Sequence, residues 1–253
     1  MSINLSPDVR PADPARKSKE AAPGGARAPD PQPQAAASNA ELSELATHLQ
    51  EIAEAERSAL AKELHDELGG LITAAKMDMA WLSTRIGASL DPASDEKFRS
   101  VVQMLNQAMT LKRRVVESLR PSLLDHFGLP VALRSHLDEN CGRAGLEYVA
   151  TLPDETLDLP LPAQLALFRV AQEALTGVVA RGTAKHVELV VDAEGEGYSM
   201  LFGDDGAAFD AVMERALVGM RHRIQNAGGT LEVETLPGGQ GNRIKVYVPR
   251  SRA

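Results

Sequence analysis

The sequence predicts an α+β protein: a helical hairpin that forms a dimeric four-helix bundle, followed by an α/β sandwich. Three observations predict it. Apolar residues recur in steps of mostly three and four from Leu42 to Ile86, the seam of a helix that packs against other helices. A second apolar stripe runs from Phe98 to Leu119 after a short turn, so two long helices lie antiparallel and each has one face to bury. Beyond Pro121 the period changes. Helical stretches are interleaved with short alternating runs such as His186-Val187-Glu188-Leu189-Val190-Val191-Asp192, the signature of helices laid on one face of a sheet.

Composition bounds the rest. A chain of 253 residues suffices for one or two domains with real cores. Aromatics make up only 4%, so the core rests on Leu, Val, Ile, Ala and Met. The net charge of −8 offers no basic face for nucleic acid. The single cysteine, Cys141, rules out an intrachain disulfide and suits a reducing compartment. No stretch approaches the roughly 18–20 apolar residues of a membrane span, and the first residues lack a basic region followed by an apolar core. A cytoplasmic protein is expected.

Taken in order, residues 1–39 are broken by seven prolines from Pro7 to Pro33 and are expected to be a disordered tail. Ser38 or Asn39 is placed to cap a helix over residues 41–87. Residues 87–95 form a turn with Pro92 as breaker, and a second helix covers 95–119 until Arg120-Pro121 stops it. Residues 40–121 are thus one domain. A hairpin of this length needs a second hairpin to cover its open face. Residues 122–253 form the other domain. It comprises a connector, a helix near 130–144, a strand near 145–152, a helix over 162–181, strands over 186–192 and 198–202, a loop at Asp204-Asp205-Gly206, a helix over 211–227, and paired strands over 230–235 and 243–248. Phe168, Leu175, Leu189 and Val191 read as core.

The first helix carries Glu63-Leu64-His65-Asp66-Glu67-Leu68-Gly69-Gly70. His65 lies beside the seam line, so its ring should reach solvent. An exposed imidazole next to a carboxylate is a candidate nucleophile, with Asp66 to orient it and accept its proton. For the dipeptide taken alone, a solvated helix face carrying one histidine is the plainer reading.

Further motifs follow in order. They are Leu119-Arg120-Pro121, Phe168-Arg169-Val170-Ala171-Gln172-Glu173-Ala174-Leu175, Asp204-Asp205-Gly206, Gly219-Met220-Arg221-His222-Arg223, and Gly228-Gly229-Thr230-Leu231 before a closing hairpin. Together, over about residues 41–249, the chain resembles the two-component sensor histidine kinases with a His-Asp phosphoacceptor box, the nitrate-sensor type. The resemblance implies a dimerisation and phosphotransfer hairpin, then a Bergerat-type sandwich of the histidine kinase ATPase class. It implies that His65 is the phosphoacceptor and Asp66 its general base. It places Arg57 at the family's basic position before the histidine, where it would contact phosphate. Glu173, Asp204, Gly206 and Gly219 would bind ATP, with Asp204 as the adenine-reading carboxylate. The implied partners are a second copy of the chain and a response-regulator receiver domain, with an upstream sensor kinase as a further candidate.

Several positions depart from that family. Gly177 stands where an asparagine would hold Mg²⁺, and a glycine offers no side-chain oxygen. Ala180 and Arg181 replace a basic residue and a histidine. Ala208 and Ala216 replace glycines, and the lid between them is short. Gly70 stands where phosphatase-active relatives have glutamine. The reading that follows is a phosphotransfer protein in which His65 exchanges phosphoryl groups with receiver aspartates, with weak or no use of ATP. No cofactor is assigned, and ATP with Mg²⁺ enters only if the altered site works. Two alternatives stand beside it: an autokinase that labels His65 from ATP, and a non-catalytic module that sequesters a regulator or kinase. His126, His136 and His222 lack metal-ligand spacing. Met77, Met79, Met104 and Met109 read as bundle core.

Overall fold

The computed structural model describes residues 31–86 and 89–250. Residues 1–30 of the expected tail lie outside the described residues. Ala40–Ala253 form one compact unit, apart from Met1–Asn39, and every contact discussed below lies within it.

The hairpin is built from α1 (Pro31–Glu63), one π-helical turn (Leu64–Leu68), α2 (Gly69–Ile86) and α3 (Pro92–Leu119). The first helix thus starts earlier than residue 41 and is interrupted at the histidine. Pro92 opens α3 and does not merely break the chain. Asp91 is the N-cap, its carboxylate accepting from Ala93 N at 3.0 Å and Ser94 N at 3.1 Å, and proline tolerates the first helical position because its missing N–H would be unpaired there.

The connector expected after Pro121 is helical. Helix α4 (Ser122–Ala144) bends at Gly128, whose φ of 78° only glycine adopts cheaply. The bend frees the Leu129 N–H, which donates to Gln164 Oε1 at 3.1 Å. Then follow β1 (Glu147–Thr151), α5 (Leu161–Arg181), β2 (His186–Glu194), β3 (Gly197–Ala207), α6 (Ala211–Asn226), β4 (Thr230–Thr235) and β5 (Gln240–Pro249).

The five strands run in the order β1-β2-β3-β5-β4, with β1 parallel to β2 and the other pairs antiparallel. Alternation puts Val187, Leu189 and Val191 of β2, Met200 and Phe202 of β3, and Ile244, Val246 and Val248 of β5 on one buried face. Leu133 and Leu137 of α4, Phe168 and Leu175 of α5, and Met220 and Ile224 of α6 complete that core. The architecture is therefore a helical hairpin followed by a mixed sheet covered on one face by three helices. The stretch Asp204-Asp205-Gly206 is not a loop but the end of β3, where the register against β5 slips between Asp204 and Ala207. Such bulges re-aim a side chain, and here Asp204 turns inward.

Candidate functional site

The π turn holds His65 and Asp66 in solvent, with Leu64 half-buried behind them. In a regular α-helix the Gly69 N–H would bond the carbonyl of His65, four residues back. Here it bonds Asp66 O, and the His65 carbonyl accepts from Lys112 Nζ of α3 at 3.3 Å. Lys112 is buried. Gly70 faces open space. The imidazole is thus accessible from solvent, with a carboxylate as its neighbour in sequence.

Within this one unit the sandwich is clasped to the hairpin by Arg169, which is 3% exposed. Its Nε and NH2 donate to Glu54 Oε1 at 3.0 Å and Oε2 at 2.8 Å. Its NH1 reaches Ser118 O at 3.0 Å and Gln172 Oε1 at 2.7 Å, and NH2 also reaches Leu119 O at 2.6 Å. All five guanidinium donors are used, and two of the acceptors are carbonyls at the C-terminus of α3, where a cation is favoured. Burial works to raise the Glu54 carboxyl pKa. The hydrogen bond and charge of Arg169, joined by Arg57, overcome it and hold the pKa below the ordinary value. Arg120 adds a bond to Ser58 of α1 and pairs with Asp125 at 2.9 Å. Gln50 of α1 donates to Gly219 O at 3.2 Å.

Within the sandwich, Asp204 is buried and its carboxylate is occupied. Oδ1 accepts from Gly206 N at 2.9 Å and Asn242 Nδ2 at 3.1 Å, and Oδ2 pairs with Arg181 NH2 at 3.1 Å. The Arg181 side chain is 7% exposed, lies over the Phe209 ring at 5.4 Å, and leaves Nε and NH1 buried without a hydrogen-bond partner. Glu173 pairs with Arg223 at 3.0 Å. A Cβ on Gly177 would fall 2.8 Å from Met213 Sδ. A cleft of about 390 Å³ lies where α5 and α6 meet the hairpin, lined by Arg57, Glu173, Gly177, Ala180, Met213 and Ala216 among others.

A family model described as histidine kinase matches residues 56–124, the segment that holds the π turn, α3 and the Leu-Arg-Pro motif. The chain is 32% identical over 212 residues to the signal transduction histidine-protein kinase/phosphatase UhpB of Salmonella typhimurium, covering 81% of this chain and 41% of that one. It is 29% identical over 205 residues to the sensor histidine kinase MctS of Rhizobium johnstonii, covering 78% and 44%. The chain belongs to the two-component histidine kinase family. It spans less than half the length of these two relatives. A histidine kinase domain of the blue-light activated kinase of Erythrobacter litoralis aligns with TM-score 0.44 at 18% identity, over 72% of this chain and 94% of that one.

As a member of the histidine kinase family, the chain places its candidate residues as follows. His65 and Asp66 share the exposed turn. Arg57 lies eight residues earlier, about 12 Å of helical rise away, and bonds Glu54 Oε1 at 2.8 Å on the edge of the cleft. Glu173 faces the same cleft, whereas Asp204 and Gly206 sit at the end of the central strand β3 beside Arg181, and Gly219 meets α1 through its carbonyl. Sequence reasoning missed Arg169 and Lys112. A charged residue inside the otherwise apolar run Phe168 to Ala171 was the available signal for the first. The second carried no signal, because a lysine in an amphipathic helix is ordinary.

Among the described residues no cluster of three or more metal-ligating side chains occurs, and no helix is long and apolar enough to cross a membrane. His136 lies edge-on to Phe168 at 5.3 Å. Burial, with the charges of Arg143 and Arg169, pulls its pKa down to about 4, so it is neutral at pH 7. Cys141 is fully buried, and burial with the nearby Asp138 pushes its thiol up to about 11.

Proposed function

We propose that this chain is a dimeric phosphotransfer protein of two-component signalling that carries a phosphoryl group on His65 and makes weak or no use of ATP. The observation that carries the reading is the solvent-exposed His65-Asp66 pair on the π turn of the hairpin. A ring nitrogen attacks the phosphorus of an aspartyl phosphate on a receiver domain. The bond from phosphorus to the aspartate oxygen breaks, the carboxylate leaves, and the ring proton passes to Asp66 or water. The reverse step loads a receiver. Catalysis of this kind is mainly positioning and charge neutralisation.

The second domain supports the ATP part of the proposal. The Asp204 carboxylate, the family's adenine contact, is already bonded on both oxygens by Arg181, Asn242 and Gly206. An adenine amino group would have to displace Arg181. Gly177 supplies no oxygen for Mg²⁺. These residues do not fit a magnesium nucleotide, and the domain serves as a docking element fixed to the hairpin through Arg169.

The dimer is supported by what one copy leaves uncovered. Leu71 is 70%, Met77 68%, Trp81 57% and Met104 54% exposed on the hairpin, large apolar side chains that a second copy would cover.

The test uses the purified chain with labelled ATP and, separately, with a phosphorylated receiver. Label on His65 from the receiver alone supports the proposal, and robust labelling by ATP alone refutes it. The 390 Å³ cleft beside Glu173 favours the autokinase as second reading, for which a nucleotide-dependent rise in melting temperature is the sign. Regulation in cells that survives His65→Ala would point to a pure binding module.

A further inference from the structure

We propose that Lys112 is a positioning residue for phosphoryl transfer at His65, acting through the backbone of the π turn. The inference rests on the reading of His65 as phosphoacceptor. Three observations carry it. Lys112 is 8% exposed, among the most enclosed residues of a hairpin whose apolar side chains are largely bare. Its hydrogen bond goes to the backbone carbonyl of His65 at 3.3 Å, from a helix 47 residues away in sequence. And that carbonyl is the one whose regular helical donor, the Gly69 N–H, has turned to Asp66 O. A buried charge is costly unless bonded, so Lys112 and the slipped turn stabilise each other.

Gly69 completes the fit. A Cβ there would stand 2.7 Å from Lys112 Nζ, with the lysine chain's other carbons at 3.8 Å. A side chain at residue 69 requires the ammonium to move from its place. The turn sets the direction of the His65 side chain, and small displacements of a reacting group are expensive in rate. Lys112 also brings a positive charge to the backbone of the residue that gains the phosphoryl group.

The test uses the full chain with phosphoramidate as donor. The ring nitrogen attacks phosphorus, the P–N bond breaks with its electron pair leaving on the protonated nitrogen as ammonia, and the ring proton passes to Asp66 or solvent. Phosphohistidine is followed by phosphate-affinity gel, with His65→Ala as blank. Lys112→Met is expected to lower the maximal rate by about tenfold or more with little change in the half-saturating phosphoramidate concentration. Lys112→Arg is expected to recover most of the loss. Gly69→Ala, which favours helix while displacing the ammonium, should match Lys112→Met, so unfolding is not the cause. Hydrogen exchange at the Gly69 and Gly70 amides, which does not depend on phosphorylation, should quicken in both variants.

Labelling of the wild type with Lys112→Met and Gly69→Ala within about twofold of it would overturn the role of Lys112 and leave the phosphoacceptor reading intact. A wild type that labels no better than His65→Ala would overturn the phosphoacceptor reading and this proposal with it. Unchanged amide exchange in both variants would overturn the clamp on the turn.

Discussion

Arg169→Met tests the clasp between the sandwich and the hairpin. The substitution keeps the buried alkyl stem and removes a guanidinium whose five donors meet Glu54, Gln172 and the carbonyls of Ser118 and Leu119. Removing one partner of a buried ion pair costs about 3–5 kcal/mol, because the other charge stays behind unpaired. Two features reduce that here. Glu54 is 25% exposed and keeps Arg57 at 2.8 Å, so water and a second cation remain, and about 3 kcal/mol is the working figure. For a chain of this size that corresponds to a fall in melting temperature of about 6–12 °C. Urea unfolding of the wild type, Glu54→Gln, Arg169→Met and the double variant gives the coupling between the two side chains. The expected coupling is about 2 kcal/mol, below the full loss because the carbonyl bonds of Arg169 are outside the pair. A loss under about 1 kcal/mol for Arg169→Met, or additive single variants, would refute the clasp.

Other outcomes follow from the same geometry. Leu71→Glu with Met104→Glu on the bare hairpin face should convert a two-chain mass in light scattering to one chain, and a wild-type mass of one chain across concentrations would sink the dimer. Mg-ATP should leave the wild-type melting temperature unchanged, although a working site at 100-fold over its Kd would add about 2.7 kcal/mol. Arg181→Ser with Gly177→Asn should gain a nucleotide-dependent rise, and a wild type that rises by itself would refute the occupied-pocket reading. His186 bonds Asp205 Oδ2 at 2.7 Å and lies 3.2 Å from Glu147. The Asp205 hydrogen bond leads in raising its pKa above 6.5, and Asp205, against a desolvation that raises it, is held down to about 2 by bonds from His186 and Lys185. The raised histidine makes its contribution fully present below pH 6.5 and lost as pH rises through the folded value; the depressed aspartate makes its own present above about 3.8 and lost as pH falls toward 2. A His186 titration by NMR with its midpoint at or below 6.5 would contradict this. Cys141 should react with a thiol reagent at pH 8 only on unfolding, because the native thiol is enclosed and shifted upward.

Most of the fold was legible because it follows from periodicity. The apolar stripe of α5, the alternation of β2 and the paired β4 and β5 all announce themselves in the chain. The π turn did not. Leu60, Leu64, Leu68 and Leu71 keep steps of three and four across it, and one extra residue in a turn leaves that pattern readable as unbroken helix. Pro92 was read as a stop because a proline's meaning depends on the residue before it, and Asp91 makes it a start. The stretch before Pro130 looked like a connector because Gly128 and Pro130 interrupt the pattern, although the helix bends there and continues. At the site, the exposure of His65 followed from its place beside the seam. The pairing of Arg181 with Asp204, 23 residues apart, did not, since nothing local ties a helix C-terminus to the bulged end of a strand. The same holds for Arg169 and Glu54 at a separation of 115 residues.

The slipped turn at Leu64–Leu68 gives this helix an unusual response to length. In a regular helix, removing one residue rotates everything beyond the cut by about 100° and shortens it by about 1.5 Å, which tears the downstream face from its neighbours. A π turn already holds one residue more than an α turn. Deleting a single residue from this stretch removes the surplus, and α1 and α2 keep their phase relative to α3. The hairpin should therefore survive a one-residue deletion here that it would not survive one turn earlier or later, while the outward direction given to residue 65 would be lost. Folding and the presentation of the histidine are thereby separable by a single codon.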